Sequence, residues 1–335
     1  MTPTLVLQTA WLGDVVLTTP LLSALAARGP VDVVTTPAAV PLLETHPAVR
    51  AVLPFDKRGA DRGFRGLVRM ARRLRARRYG TAVLPQGSLR SALLARLAGI
   101  PRRVGFADDP GAWLCTERRP RRGGHEAERL LGLAGPASAD PRSAALTLGL
   151  TPADHAAAAA ALHTAGVTPP FVALAPGSAQ HNKRWPFFGD LAAALDPGLT
   201  VVVIGARGDA DLVRPAGGPS TRRPADLTGL PLRISAAVLA RAAAAVTNDS
   251  LALHLTQAVG TPVVALFGPT HPRQGFGPRG ARDVALGRDL PCRPCSSHGG
   301  ARCPLGHHAC LHLLDVAAVR AAVAHLLFAE ETACV

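Results

Sequence analysis

The segment "VALAPGSAQHNKRWP", residues 172–186, ends an apolar run with Pro-Gly-Ser and continues through a polar loop. Ser178 offers a hydroxyl, and Lys183 is one of only two lysines in the chain, the other being Lys57. Backbone N–H groups after a strand, together with one mobile ammonium, form a cradle for phosphate. The Walker pattern G-x-x-x-x-G-K-[ST] is absent here. The alternative is an ordinary strand-to-helix loop with a solvated lysine.

A second polar cluster lies in "AAVTNDSLALHL", residues 244–255, where an apolar run meets a helical pattern. One of Asp249 and Ser250 would serve as the N-cap of that helix. Capping does not require Asn248 as well, nor His254 one turn later. Because ligands bind at the carboxyl ends of strands in open α/β sheets, we expect these side chains to contact a ligand. The alternative for His254 is a buried or capping histidine.

Two further acids follow apolar runs. Asp209 in "IGARGDAD", residues 204–211, is placed to bind ribose hydroxyls, or else is an exposed acid at a helix start. Asp14 follows Gly13 in "AWLGDVVL", at the end of the first apolar run. Asp14 is either the N-cap of the next helix or a general base that faces a ligand. Gly13 is expected to give the turn room for the substrate.

Near the end of the chain the spacing C-x2-C-x7-C-x6-C joins Cys292, Cys295, Cys303 and Cys310. A C-x2-C pair with two later thiols is typical of a structural zinc site. The second pair is not C-x2-C, so the pattern is incomplete. The alternative is a set of reduced cysteines in a loop-rich segment.

The elements that must position these residues alternate between strand and helix. This alternation predicts an α/β protein with parallel sheets covered by helices. The pattern weakens after residue 105 and restarts near 165, which predicts two lobes, 1–165 and 166–315. The expected strands are 4–8, 31–35, 50–54, 81–85, 171–175, 200–204, 244–247 and 262–267, and the first expected helix is 14–28.

The composition excludes several classes of protein. The chain has 335 residues and a net charge of +14, which favours polyanionic partners. One tyrosine and nine phenylalanines argue against a stacking platform for single-stranded nucleic acid. We expect no signal peptide and no membrane span. The segment 61–78, with eight arginines around an apolar stripe, is either an ordinary surface helix or a basic amphipathic helix at an anionic membrane.

Taken together, the motifs resemble those of the glycosyltransferase family 9 heptosyltransferases, which build the inner core of lipopolysaccharide in Gram-negative bacteria. The tail "CRPCSSHGGARCPLGHHACL" resembles the second heptosyltransferase of that pathway more than the first. The resemblance implies a GT-B fold, with two Rossmann-like lobes facing across a cleft, the acceptor on the first and the nucleotide-sugar on the second. It also implies that the last helix, within 316–335, packs back on the first lobe. The motifs that carry it are "LVLQTAWLGDVVLTTPLL", "PGSAQHNKRWP", "DLTG", "TNDSLALHL" and "GTPVVALFGPT".

The resemblance further implies an inverting transfer from ADP-L-glycero-D-manno-heptose that requires no metal or other cofactor. Asp14 aligns with the general base of the family, and Lys183 and Ser178 align with its phosphate and sugar contacts. Asp249 aligns with the acid that holds sugar hydroxyls, Ser250 with a diphosphate contact at a helix N-terminus. Asp209 aligns with the ribose-binding acid.

The implied partners are an ADP-sugar donor and a lipid A–Kdo or heptose acceptor, and no nucleic acid. The resemblance also implies a monomer that acts at the cytoplasmic face of the inner membrane and contacts that membrane peripherally. The chain departs from many relatives at Leu251 and Ala252, where those have Gly-Pro, and at Ala179, where some have a hydroxyl.

The sequence leaves two alternative functions open. One is the same fold with another donor or acceptor, and the other is a non-catalytic binder of anionic polymers with a zinc module.

Overall fold

The computed structural model describes residues 2–135, 144–214 and 223–328. The chain forms two compact units, Met1–Gly149 and Leu150–Val335. The first contains β1 Thr4–Leu7, α1 Leu12–Leu17, α2 Thr19–Ala26, β2 Val31–Thr35, α3 Val40–Leu43, β3 Ala51–Pro54, α4 Gly63–Arg75, β4 Thr81–Leu84, α5 Leu89–Leu97, β5 Arg102–Phe106, β6 Glu117–Arg119 and α6 Glu126–Leu131. The second contains α7 Pro152–Thr164, β7 Phe171–Ala175, α8 Phe188–Ala194, β8 Thr200–Val203, β9 Ala225–Asp226, α9 Leu232–Leu239, β10 Ala244–Asn248, α10 Leu251–Ala258, β11 Val263–Leu266, β12 Val284–Leu286, α11 Ala309–His312 and α12 Val316–Phe328.

Each unit is built on a parallel sheet of six strands among the residues described. The orders are β3-β2-β1-β4-β5-β6 and β9-β8-β7-β10-β11-β12, so both sheets follow the Rossmann order 3-2-1-4-5-6. The chain direction across the sheet reverses between β1 and β4 in the first unit, and between β7 and β10 in the second. Ligands of such sheets bind outside the carboxyl ends of the strands at this switch point. The α/β class with two Rossmann-like lobes is confirmed.

The eight predicted strands correspond to β1–β4, β7, β8, β10 and β11, whereas β5, β6, β9 and β12 were missed. Central strands such as β7 and β10 are apolar and buried along their whole length. The outer strand β6 reads Glu-Arg-Arg and β9 has only two residues, so neither shows an apolar run. The predicted helix 14–28 is two helices, α1 and α2, and the hydroxyls of Thr18 and Thr19 bond back to the backbone at the break.

The boundary between the units differs from the predicted one. The contacts divide the chain after Gly149 and not near residue 165, because α7 belongs to the second unit. Arg233 of α9 forms an ion pair with Asp154 of α7, which ties the two helices together. The last helix, α12, packs on α8, β10 and β11, and its Val319 and Val323 are buried in the core of the second unit. The packing of this helix on the first lobe, which the resemblance implies, stays a prediction; residues 329–335 lie outside the described residues.

The basic segment 61–78 contains α4, whose apolar stripe of Leu67, Met70 and Leu74 is buried in the core of the first unit. Its arginines lie on the outer side of the helix. In the described part of the chain, no helix is both long and apolar enough to span a bilayer.

A buried carboxylate joins β2 to the residue just before β3 and to the segment that follows α4. Asp32 is fully buried and accepts hydrogen bonds from Arg50 Nε and Nη2, both at 2.8 Å, from Arg77 Nη1 at 3.2 Å and from Tyr79 Oη at 2.6 Å. Burial raises the pKa of Asp32, but the bonds from Arg50, Tyr79 and Arg77 outweigh it and hold the pKa below its usual range. The charged form therefore stabilises the folded unit.

We expect Asp32→Asn to lower the free energy of unfolding by about 2 kcal/mol at pH 7, because two guanidinium groups lose their buried partner. A depressed pKa contributes stability above the unfolded-state value, and this is lost as the pH falls through the folded-state value. Urea unfolding of both proteins should thus show a difference that is largest at neutral pH and narrows below about pH 4. Asp108→Asn, at an exposed ion pair with Arg121, is the control and should change stability by less than about 1 kcal/mol. A pH-independent difference for Asp32→Asn would contradict this interpretation.

Candidate active site

The side chain of Asn248 connects the two strands at the switch point of the second unit. It is fully buried at the carboxyl end of β10. Its Nδ2 donates to the carbonyl of Pro176, just after β7, at 2.7 Å, and its Oδ1 accepts from the backbone N–H of Trp185 at 3.0 Å. Both ends of the loop 176–185 are thereby fixed to β10. Asn248, predicted to bind substrate, uses both amide atoms to position that loop.

Lys183 and Asp249 meet at this edge of the sheet. Lys183 ends a short 3-10 helix, His181–Lys183, and its Nζ lies 2.6 Å from Asp249 Oδ2. The hydroxyl of Thr270, which follows β11, donates to the same carboxylate oxygen at 2.7 Å. Both side chains of the ion pair are largely buried. The fold therefore brings together Lys183 and Asp249, which the sequence shows in separate motifs, and it places the Lys183 ammonium at the strand ends.

The first turn of α10 presents a hydroxyl and a neutral imidazole beside this pair. Ser250 is the N-cap residue by its extended backbone, yet its side chain makes no capping bond, and its buried Oγ has no hydrogen-bond partner among the described residues. His254 is almost fully buried. Burial lowers the pKa of His254 to about 4, although the Asp249 carboxylate acts in the opposite direction. The helix N-terminus and a free hydroxyl suit an anionic ligand group, while His254 is uncharged at neutral pH.

Asp209 lies against two glycines at the ends of β7 and β8. Its Oδ2 accepts from the backbone N–H of Ala206 at 2.8 Å, and Gly208 before it has a φ of +92°. A Cβ atom on Gly177 would lie 2.1 Å from this oxygen, and one on Gly205 would lie 2.4 Å from it. The carboxylate thus fills space that only glycine leaves open. This arrangement brings Asp209 next to the Pro-Gly-Ser turn that carries Ser178.

Asn182, which the sequence reasoning missed, anchors the loop of Lys183 to the segment 296–302. Its backbone N–H donates to the carbonyl of Gly300 at 3.1 Å, and its Oδ1 accepts from the N–H of Gly300 at 2.7 Å. Gly299, with a φ of +82°, lies so close to Lys183 that a Cβ there would be 2.8 Å from the lysine Cε. The turn 299–300 therefore confines the stem of Lys183 and directs its ammonium towards Asp249. Nothing in the sequence pattern indicated this contact.

The structure gives the predicted zinc site no support. No three His, Cys, Asp or Glu side chains in the ranges 2–135, 144–214 and 223–328 are arranged to hold a metal ion. Cys310 is buried in the core beside Leu311, whereas Cys295 is exposed at the surface. Cys292 and Cys303 are partly buried, and all four thiols are free.

In the first unit Asp14 lies at the corresponding switch point, after β1. It is the third residue of α1, and the N-cap residue is Trp11, so the alternative that made Asp14 the N-cap is wrong. Its Oδ2 accepts from the backbone N–H of Trp11 at a long 3.3 Å. Gly13 is the second residue of α1 and does not adopt a positive φ; the room that it is expected to leave for the substrate stays a prediction.

The second lysine of the chain lies at the same edge, which the sequence reasoning did not anticipate. Lys57 Nζ donates to the Thr9 carbonyl at 2.7 Å and approaches the Thr9 hydroxyl at 3.2 Å. Burial lowers the pKa of Lys57, and the nearby Arg58 and Arg90 act in the same direction. The rarity of lysine was the one signal that could have singled it out. Each lysine thus lies at the carboxyl edge of one sheet.

Comparison with known proteins decides the family. The model of glycosyltransferase family 9 (heptosyltransferase) matches residues 67–304, well over half of the chain. The chain belongs to this family. It is therefore a glycosyltransferase, and the non-catalytic alternative is set aside.

Curated relatives of this family 9 glycosyltransferase are heptosyltransferases. Lipopolysaccharide heptosyltransferase 1 of Pseudomonas aeruginosa is 30% identical over 87% of this chain and 85% of its own length. Lipopolysaccharide heptosyltransferase 2 of Escherichia coli is 29% identical over 80% and 83%. These identities do not separate the two types. The solved structure of the E. coli ADP-heptose lipopolysaccharide heptosyltransferase II superposes with a TM-score of 0.79 at 24% identity, covering 99% of this chain and 100% of that one, which shows a common fold.

We expect Gly177→Ala to weaken ADP binding by this glycosyltransferase about tenfold, because the new methyl group must displace the Asp209 carboxylate from its place beside the Pro-Gly-Ser turn. Isothermal titration calorimetry with ADP measures the effect. Gly124→Ala, where the added methyl group meets open space, is the matched control and should bind ADP like the unaltered protein. Unchanged ADP affinity in Gly177→Ala would show that Asp209 is not part of the nucleotide site.

Proposed function

We propose that this protein is a lipopolysaccharide heptosyltransferase that moves heptose from ADP-L-glycero-D-manno-heptose to the inner core, with inversion at the anomeric carbon. The observation that carries the proposal is the Lys183–Asp249–Thr270 cluster at the switch point of the second sheet, in a chain whose relatives are heptosyltransferases. The proposal also specifies ADP-heptose as the donor. It is supported by the name of the E. coli relative, an ADP-heptose enzyme with the same fold.

In the proposed donor site, the ammonium of Lys183 and the hydroxyls of Ser178 and Ser250 bind the diphosphate. Asp249 holds sugar hydroxyls and keeps Lys183 in place, and Asp209 binds the ribose. As the bond between the anomeric carbon and the β-phosphate oxygen breaks, negative charge grows on ADP. Donors that are already positioned stabilise this charge more than they stabilise the bound substrate.

Asp14 is the proposed general base. An acceptor hydroxyl oxygen attacks the anomeric carbon from the face opposite to ADP, and its proton passes to the Asp14 carboxylate. No cofactor enters the proposed steps.

The proposed acceptor is a lipid A–Kdo or heptose-terminated core, and we place the enzyme, as a monomer, at the cytoplasmic face of the inner membrane. The net charge of +14 favours binding to the phosphorylated acceptor and to an anionic lipid surface.

We expect Asp14→Asn to lower kcat about 10³-fold while the affinity for ADP stays unchanged, because the amide fills the same space but accepts no proton. Release of ADP in the presence of ADP-heptose and core acceptor gives kcat, and calorimetry gives the affinity. Asp108→Asn, an exposed acid of the same unit, is the control and should keep full activity. Full activity in Asp14→Asn would eliminate Asp14 as the base.

The same fold with another donor or acceptor is the alternative, and nucleotide binding separates the donors. We expect ADP to bind at least tenfold more tightly than UDP or GDP, measured by calorimetry under identical conditions. Lys183→Met should weaken ADP binding about tenfold, since it removes the ammonium but keeps the apolar stem. Tighter binding of UDP or GDP would overturn the proposed donor.

A further inference from the structure

Among the described residues of the first unit, four large hydrophobic side chains are exposed, and all four follow the carboxyl end of a strand. They are 59% exposed at Trp11 after β1, 68% at Phe64 after β3, 48% at Leu89 after β4 and 68% at Trp113 after β5. Since β1, β3, β4 and β5 are parallel, these residues lie along one edge of the sheet. We name this set, Trp11, Phe64, Leu89 and Trp113, the apolar rim.

Hydrogen bonds connect the segments that carry the apolar rim. The guanidinium of Arg90, next to Leu89, donates to the carbonyls of Asp61 at 2.7 Å and Gly63 at 3.3 Å, which joins the start of α5 to the start of α4. The N–H of Gly111 donates to the carbonyl of Gly87 at 3.0 Å, which joins the loop that carries Trp113 to the segment just before α5.

The remaining member of the rim is tied in by Lys57. Its bond to the Thr9 carbonyl connects the loop that carries Trp11 to the segment after β3. Hydrogen bonds therefore hold together the four segments that carry the apolar rim.

The charge along this edge is positive. Arg58, Arg62 and Arg65 are exposed beside Phe64. Apart from Asp14, three residues after Trp11, the acids nearby are engaged by the protein itself: Asp61 pairs with Arg69 at 2.6 Å, and Arg121 binds Asp108 at 3.0 Å and Asp109 at 2.7 Å. Asp56 accepts from the N–H groups of Gly59 and Ala60 at 2.9 and 3.1 Å. The three arginines thus leave an excess of positive charge next to exposed apolar side chains.

Single exposed hydrophobic residues are normal, but an aromatic-rich row next to arginines has the chemistry of a membrane-contacting surface. We propose that the apolar rim docks on an anionic lipid bilayer, with its side chains in the headgroup region and Arg58, Arg62 and Arg65 on lipid phosphates. The surface differs from the one the sequence favoured, since the apolar face of α4 is buried and only Phe64 at its start is free. The inference deepens the proposed function, on which it rests for the lipid-linked acceptor.

The tryptophans provide a reporter for the docking. The chain has three, of which Trp11 and Trp113 belong to the rim and Trp185 is buried in the second unit. With vesicles of phosphatidylethanolamine and phosphatidylglycerol, we expect a blue shift of tryptophan emission and quenching by lipids brominated near the headgroup. Vesicles of phosphatidylcholine alone should bind at least tenfold more weakly, because they lack net negative charge. Absence of binding to the anionic vesicles would overturn the proposal.

A double variant, Phe64→Ser with Leu89→Ser, should weaken vesicle binding at least tenfold, because it removes two apolar side chains without touching the proposed catalytic residues. The control is Leu313→Ser with Phe328→Ser, which removes two side chains of similar exposure, 54% and 62%, from the second unit. The control should bind vesicles like the unaltered protein. Equal loss in both variants, or no loss in the rim variant, would overturn the proposal.

Two acceptors separate this inference from the proposed function. On an acceptor embedded in anionic vesicles, the rim variant should transfer heptose at least tenfold more slowly than the unaltered enzyme, and on a deacylated, water-soluble acceptor at the same rate. If the unaltered enzyme uses neither acceptor, the proposed function fails while the vesicle measurement still tests the docking. Light scattering that shows a dimer, lost in the rim variant, together with no vesicle binding, would assign the rim to self-association and contradict the proposal.

Discussion

The ion pair between Lys183 and Asp249 depends on the adjacency of β7 and β10 at the centre of a parallel sheet. The two residues are far apart in sequence, yet each follows a strand, and the strands end at the same edge. Asn248 converts this adjacency into a fixed geometry, since its buried amide holds both ends of the intervening loop. A buried lysine without a partner would be costly, so the pair constrains how the loop can fold.

Much of the fold and part of the site could be predicted from the sequence. Strands buried on both faces leave continuous apolar runs, which is why β7, β10 and β11 were recognised. The polar residues just after them, Lys183 and Asp249, were assigned to the site for the same reason. The outer strands β6 and β9 were missed because a short edge strand needs no apolar pattern.

What the sequence could not show depends on contacts between distant segments. Thr270 shares a carboxylate oxygen with Lys183, and Asn182 bonds to Gly300, but neither pairing leaves a local signal. The boundary near 165 differs from the division after Gly149 because α7 follows a stretch without clear pattern, and its packing on α9, with the Arg233–Asp154 ion pair, assigns it to the second unit. The capping alternative for Asp14 misplaced the helix start: at the third helical position its carboxylate accepts from the N–H of the N-cap residue, Trp11, as the acid of a capping box does.

The burial of His254 has a consequence for how the enzyme responds to acidity. With a pKa of about 4, this imidazole stays neutral throughout the range in which an ordinary histidine would gain a proton. It therefore adds no positive charge beside Lys183 and Asp249 when the surroundings become mildly acidic. Any loss of turnover in mild acid would therefore originate in groups other than His254.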